Sequence, residues 1–275
     1  MPYRPIITLT TDFGSNDHFV GAVKGVIVDI VPDAQIVDIS HAVQAFDVLD
    51  GALTISQAYS YFPSGTVHVV VVDPGVGTAR RPILASSDGH HFVAPDNGVL
   101  SMVYAREERI RVRHITSEHY FRVPVSNTFH ARDIFAPVAA WLAKQVDSDK
   151  FGDEIEDYVR FAAPKPKAVA EDRIRAVVLK VDRFGNLITN VTPEEVPAIF
   201  KPGAEFKITI GSKAFSEIRQ TFADGAPGEL FGIIGSMGYL EIVANRAAAA
   251  QLTGVGKGAE VSIFLGEAAA AGQGA

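Results

Sequence analysis

The chain has 275 residues and not one cysteine. That absence excludes a disulfide scaffold, thiolate catalysis, iron–sulfur clusters and cysteine-based zinc sites. Long apolar runs are missing too: the longest, such as Val67–Val72, fall far short of the roughly 20 residues of a membrane span. Lys plus Arg total 25 against 32 for Asp plus Glu, a net charge of −7, and no extended basic run exists. An acidic chain of this kind is a poor partner for nucleic acid or an anionic membrane surface. The opening residues MPYRPIITLTTDFG reach a charged Asp12 too soon for a signal-peptide core, so a cytoplasmic location is expected. What is present is a globular composition, 47% apolar and 21% charged, which excludes disorder for the bulk of the chain. The length suffices for one large domain or two modest ones.

Periodicity orders the first part as β-α-β-α-β. Pro5–Thr11 reads as a strand stopping at Asp12-Phe13-Gly14, and His18–Val31 as a helix ended by Pro32. Gln35–Ile39 is a short strand, Asp47–Tyr61 a helix, and Thr66–Val72 a β-branched run expected of a strand buried on both faces. This order predicts an α/β domain with a largely parallel central sheet. Strands follow at Pro82–Ser86 and His91–Ala94, a short helix at Asn97–Ala105, an edge strand at Arg109–Ile115 and a helix at Asp133–Gln145. The Pro/Lys stretch from Phe161 to Lys167 lacks periodicity and reads as a boundary. Beyond it come short strands from Ile174 to Leu265, one Ala-rich helix at Ala247–Leu252 and an Ala/Gly tail. The expected organisation is an α/β domain over 1–163, a linker over 164–172, an all-β barrel domain over 173–267 and a flexible tail over 268–275.

Carboxylates fall where ligands gather in α/β sheets. Asp12, Asp38 and Asp73 lie at or beside strand ends, and the crevice of such sheets opens there. The loop Asp73-Pro-Gly-Val-Gly-Thr-Ala-Arg80-Arg81 joins a carboxylate, two glycines and two cations, yet it is neither a Walker A loop nor a Rossmann fingerprint. His130 precedes a helix within Thr128-Phe129-His130-Ala131-Arg132-Asp133, a place that gives an imidazole a defined direction. His18, His41 and His68 match no metal-ligand spacing with Asp12 and Asp38, so no metal is expected. In the second domain, Asp182-Arg-Phe-Gly-Asn186 ends one strand and Ser236-Met-Gly-Tyr-Leu-Glu241 opens another. Asn186 could read an adenine edge and Phe184 could stack a base; a pair of plain hairpin turns is the alternative.

Taken in order, these segments resemble one family, the S-adenosylmethionine (SAM) hydroxide adenosyltransferases. These are also called SAM hydrolases and are relatives of the SAM-dependent fluorinase and chlorinase. The resemblance is carried by Thr11–Gly14, Asp38–His41, Asp73–Arg81, Pro95–Gly98, Asn127–Asp133, Asp182–Asn186 and Gly235–Arg246. It implies an N-terminal α/β domain plus a C-terminal β-barrel, and a homotrimer with sites at subunit interfaces. It implies hydrolysis of SAM to adenosine and L-methionine by water attack at the ribose C5′, with no cofactor. The family's water-handling triad maps onto Asp73, Arg80 and His130, with the adjacent Arg81 leaving the choice of arginine open. The ribose-gripping carboxylate maps onto Asp12. Contacts to methionine and adenine map onto Asp182, Phe184, Asn186, Ser236, Tyr239, Glu241, Asn245 and Arg246. Phe46 stands where the fluorinase has Trp, Asp73 where it has Tyr, and the Asp182 segment is one residue shorter. Those departures favour water over halide. The alternatives are a SAM-dependent chlorinase and a non-catalytic adenosine- or SAM-binding protein.

Overall fold

A computed structural model describes residues 4–266. The tail expected at 268–275 lies outside the described residues. Contacts divide the chain between Ala162 and Ala163 into two compact units.

The first unit holds β1 (Ile6–Thr11), α1 (Phe19–Ile30), β2 (Gln35–Ser40), α2 (Val48–Ala58), β3 (Thr66–Val71), β4 (Pro82–Ser86) and β5 (His90–Pro95). It continues with α3 (Ser101–Tyr104), β6 (Arg111–His114), α4 (Ala136–Ala143) and β7 (Glu154–Ile155). The sheet order is β2-β1-β3-β5-β4-β6-β7. Every residue of β3 is buried because both faces are covered. Val67, Val69 and Val71 meet Ile27 of α1 and Val138 of α4. Val70 points the other way, to Ile55 of α2 and Val103 of α3. Alternation along one strand thus feeds two cores.

The expected largely parallel sheet is corrected to a mixed one. β2, β1, β3 and β5 run parallel, whereas β4, β6 and β7 pair antiparallel. The reason is connection length: only Ser87–Gly89 separates β4 from β5, too few residues for a parallel crossover. The segment expected as an edge strand, Arg109–Ile115, contributes β6, which lies between β4 and β7. The helix expected from Asp133 begins instead as a π-turn over Ala131–Phe135 and becomes regular at Ala136. α2 starts where Asp47 caps it, its carboxylate accepting the N–H of Asp50 at 3.1 Å.

The second unit holds β8 (Lys167–Ala170), β9 (Arg173–Val181), β10 (Leu187–Thr189), β11 (Phe206–Ile210), β12 (Lys213–Phe215) and β13 (Ile218–Arg219). It ends with β14 (Leu230–Ile234), β15 (Leu240–Ala244), α5 (Ala249–Thr253) and β16 (Glu260–Leu265). The order is β12-β11-β16-β9-β10-β15-β14-β13, with β8 beside β9. All pairings are antiparallel except β13 with β14. The supposed linker over 164–172 is therefore partly strand: Lys167–Ala170 pairs with β9 despite its Pro/Lys surroundings. Among the described residues the end strands β12 and β13 do not pair with each other, so the sheet is open at that seam. Its core gathers Val178, Leu187, Ile208, Leu240, Ile242 and Ile263.

Candidate active site

β3 delivers the central carboxylate. After buried Val72 the chain leaves the sheet at Asp73 and turns back on itself, with Thr78 N–H donating to the Gly75 carbonyl at 3.1 Å. Gly77 adopts φ +78°, and a Cβ there would overlap the Asn127 carbonyl oxygen. Glycine is thus required for the Asp73 loop to lie against the loop before His130.

The turn brings Arg80 back onto Asp73. Arg80 Nε donates to Asp73 Oδ1 at 3.0 Å and Nη2 to Oδ2 at 2.5 Å, a bidentate pair. The same Nη2 lies 2.7 Å from His130 Nδ1. Both charged side chains are nearly buried, Arg80 at 8% and Asp73 at 5% exposure. A guanidinium only donates, so His130 Nδ1 accepts and the ring is neutral with its hydrogen on Nε2. The pKa of His130 is lowered accordingly, first by burial and then by the Arg80 charge, against the opposing pull of Asp73 and Asp133. Arg80 packs over the Phe135 ring at 5.4 Å, and its Nη1 is buried without a partner among the described residues.

Asp73 and His130 face a cavity of about 270 Å³ that Asp12 and Phe46 also line, walled by Phe13, Phe19 and Phe129. Arg80 does not line it; it stands behind the two groups it bridges. Asp12 Oδ2 accepts the N–H of Phe46 at 2.9 Å. Phe46 has φ +66° and a ring that is 73% exposed, so a bulky residue is held in a costly conformation beside the carboxylate. The sequence left Arg80 and Arg81 open; the geometry separates them. Arg81 Nε donates to Asp96 at 2.9 Å and Nη1 to Asp157 at 2.8 Å, turned away from Asp73.

A second, larger cavity of about 930 Å³ belongs to the other unit. Asp182, Phe184, Asn186, Ser236, Glu241 and Arg246 line it. Asp182 organises its own loop: Oδ1 accepts the N–H groups of Phe184 and Asn186, each at 2.8 Å, and Oδ2 accepts the Asn186 amide at 2.8 Å. Phe184 is left 78% exposed. Glu241 has its pKa raised, first by burial and then by the Asp182 charge. A Cβ on Gly235 would overlap the Glu241 carboxyl. Tyr239 and Asn245, expected at the site, do not line the cavity; the Asn245 amide instead donates to the Gly225 carbonyl at 2.7 Å. Sequence reasoning missed Phe13, Phe19 and Phe129 in the first cavity, and Gln220, Phe222 and Met237 in the second. In the sequence Phe19 reads as part of a helix face, and Phe13 and Phe129 stand in a turn and a pre-helix segment with no role of their own; only their packing around the cavity sets the three apart.

The histidines weighed as metal ligands are dispersed. His68 is buried against Thr8 and His90, and His41 against Thr11. Among the described residues no group of three or more His, Asp or Glu is placed to hold a metal ion. Nor is any described helix long and apolar enough to cross a membrane.

A mixed α/β unit with a buried carboxylate–guanidinium–imidazole set at its strand ends, followed by a mostly antiparallel unit with its own carboxylate-lined cleft, defines a two-unit α/β protein with a cavity in each unit. The chain belongs to the SAM hydroxide adenosyltransferase family: that family's N-terminal domain matches residues 7–152 and its C-terminal domain residues 176–262. A (R)-S-adenosyl-L-methionine hydrolase of Salinispora tropica is 38% identical over 272 residues, covering 97% of this chain and 100% of that protein. A fluorinase of Nocardia brasiliensis is 29% identical over 293 residues, covering 96% and 98%. The crystal structure of an uncharacterized conserved protein from Thermotoga maritima matches with a TM-score of 0.86 at 37% identity, over 94% of this chain and 99% of that one.

Proposed function

We propose that this protein is an enzyme that hydrolyses SAM to adenosine and L-methionine by attack of water on the ribose C5′. The observation that supports this reading most is the Arg80 bridge. One guanidinium holds Asp73 and neutral His130 side by side on a cavity that also presents Asp12. In the reaction a bond forms from the water oxygen to C5′ and the C5′–S bond breaks. Sulfur keeps the electron pair and leaves as a neutral thioether, so the leaving group needs no proton and no cofactor. The nucleophile is the difficulty. With Nδ1 occupied, His130 offers its Nε2–H to the water oxygen and orients it. Asp73 keeps lone pairs beyond those Arg80 uses and receives the water's proton as the C–O bond forms. As the proton passes to Asp73 and the C5′–S bond breaks, the carboxylate's negative charge and the sulfonium's positive charge diminish together. The transition state therefore carries less separated charge than the ground state, and the aromatic walls from Phe13, Phe46 and Phe129 assist by excluding bulk water.

Asp12 is assigned to the ribose hydroxyls. The second unit's cleft is assigned to substrate recognition, with Asp182, Phe184, Asn186, Ser236, Glu241 and Arg246 as its contacts. The two units are taken as separate domains, the second as an open barrel. From the family resemblance we add a cytoplasmic homotrimer with sites at subunit interfaces. If sites are shared between subunits, mixing Arg80→Ala with Asn186→Ala protein restores activity once subunits exchange; inert mixtures despite exchange refute that part.

The decisive experiment incubates the protein with SAM in chelator-treated ¹⁸O-water. Adenosine carrying ¹⁸O at the 5′-hydroxyl is expected. Rising 5′-chloro-5′-deoxyadenosine with added chloride would instead establish the chlorinase, and tight adenosine binding without turnover the binding protein.

A further inference from the structure

A line of polar contacts runs from the surface of the first unit to the loop that carries Asp12. Lys24 of α1 donates to Asp38 Oδ2 at 2.6 Å. The other Asp38 oxygen lies 3.1 Å from His41 Nε2, an ion contact rather than an aligned hydrogen bond. His41 Nδ1 is 2.8 Å from Thr11 Oγ1, and that oxygen also accepts the N–H of Phe13 at 3.3 Å. Two backbone bonds reinforce the seam: Gly14 N–H to the His41 carbonyl at 2.8 Å and Val43 N–H to the Thr11 carbonyl at 3.3 Å. Asp12 sits between the residues so pinned, Thr11 before it and Phe13 after it.

The hydrogens assign themselves from the partners. A carboxylate facing Nε2 places the imidazole hydrogen there, so Nδ1 accepts from the Thr11 hydroxyl. The Thr11 oxygen keeps its lone pairs for Phe13. The Thr11 hydroxyl and the Phe13 N–H then both meet acceptors, while the imidazole hydrogen on Nε2 faces the Asp38 carboxylate in an ion contact without an aligned hydrogen bond. The His41 side chain is only 12% exposed, so an apolar residue could fill its place more cheaply than a polar one. Space-filling alone gives no reason for an imidazole wedged between Asp38 and Thr11 at the ends of two adjacent parallel strands.

We infer that His41 is a positioning residue: with Asp38 and Thr11 it fixes the Asp12 carboxylate in the direction that the substrate's ribose hydroxyls require. The inference rests on the reading of Asp12 as the ribose-binding group. His41 touches no substrate in this account; it acts through Thr11 on the loop.

The test compares binding of adenosine with that of 2′,3′-dideoxyadenosine by calorimetry, in the full-length protein and in variants. Wild type is expected to prefer adenosine, and Asp12→Ala to erase the preference. His41→Ala and Thr11→Val should each cut the preference about tenfold, the worth of one hydrogen bond to a charged group, and leave dideoxyadenosine binding unchanged. The double variant should be no worse than either single one, because both break one chain of contacts. His41→Gln, which still offers an acceptor and a donor, should recover part of the preference; it and Thr11→Val decide the matter if His41→Ala does not fold. Equal loss for both ligands would reduce His41 to a structural residue and overturn the inference. So would a His41→Ala preference equal to wild type while Asp12→Ala erases it. A wild type that binds both nucleosides alike would overturn the reading of Asp12, and this inference with it.

Discussion

The two cavities handle charge in opposite ways. In the first unit, Asp73 is buried and satisfied by a bidentate arginine that also occupies His130 Nδ1. In the second, Asp182 is held by backbone N–H groups and a neutral amide, and nearby Glu241 has its carboxyl pushed toward the protonated form. In the proposed function, one arrangement holds a charged set at the reacting atom, and the other offers a loop, an exposed aromatic ring and a buried acid to the substrate. The first should therefore fail in turnover when broken, and the second in affinity.

The largest effect is expected at Arg80. Arg80→Ala leaves Asp73 buried without its cation and frees His130 Nδ1, and kcat for adenosine release should fall about 10²–10³-fold. Arg80→Lys should rescue little, since a point charge cannot span both carboxylate oxygens and the imidazole. The accompanying sign is specific. Without the guanidinium charge the His130 pKa should rise toward its ordinary value, which NMR titration of the ring can follow. A variant with wild-type kcat, or a His130 titration that does not move, would break the contrast between the two cavities.

Gly77→Ala tests the same set without touching a functional group. Its Cβ would overlap the Asn127 carbonyl and force apart the loops that carry Asp73 and His130, in a backbone conformation that alanine dislikes. A displacement of about 1 Å is worth about 10²-fold in rate, so kcat should drop while adenosine affinity, assigned to Asp12 and the second cleft, stays close to wild type. Asp182→Ala should do the reverse. It removes three hydrogen bonds from the loop of Phe184 and Asn186, and adenosine affinity should weaken about tenfold or more with a smaller change in kcat. If both variants lower kcat and affinity alike, the division of labour is wrong.

How far the sequence showed all this depends on the reach of each contact. The β1-α1-β2-α2-β3 order was legible because helical and strand periods alternate cleanly through Ile55 and Val71. The mixed sheet was not, because a single three-residue turn before His90 reverses the strand direction without altering hydrophobic pattern. β8 was hidden because Lys167–Ala170 is exposed along its length and carries no apolar alternation. Asp73, Arg80 and His130 were visible as a resemblance, yet the separation of Arg80 from Arg81 needed Asp96 and Asp157, which lie 15 and 76 residues from Arg81. The Asn245 contact was hidden for the same reason, because an amide in a matching segment looks the same whether it faces a ligand or, as here, the Gly225 carbonyl.

The smallest effect concerns pH, where the two units should pull in opposite directions. His68 is fully buried between Thr8 and His90, and burial holds its pKa down at about 3, with the neighbouring His90 and His91 also lowered. A histidine depressed on folding binds its proton more readily unfolded, so its contribution is present above about pH 6.5 and is lost as pH falls below that value. Each such group costs about 1.4 kcal/mol per pH unit across its window. Glu241 has the other sign. Its raised pKa favours the folded state at low pH, and that contribution is lost as pH rises through the carboxylate range. Thermal unfolding of wild type, His68→Asn and Glu241→Gln from pH 5 to pH 8 separates the terms. His68→Asn should be less stable at pH 8 but flatter toward pH 5, because the histidine no longer titrates. Glu241→Gln should gain on wild type as pH rises, since the amide keeps the shape against Gly235 without an ionisation to suppress. Parallel pH curves for all three proteins would mean that neither buried group contributes the linkage its environment implies.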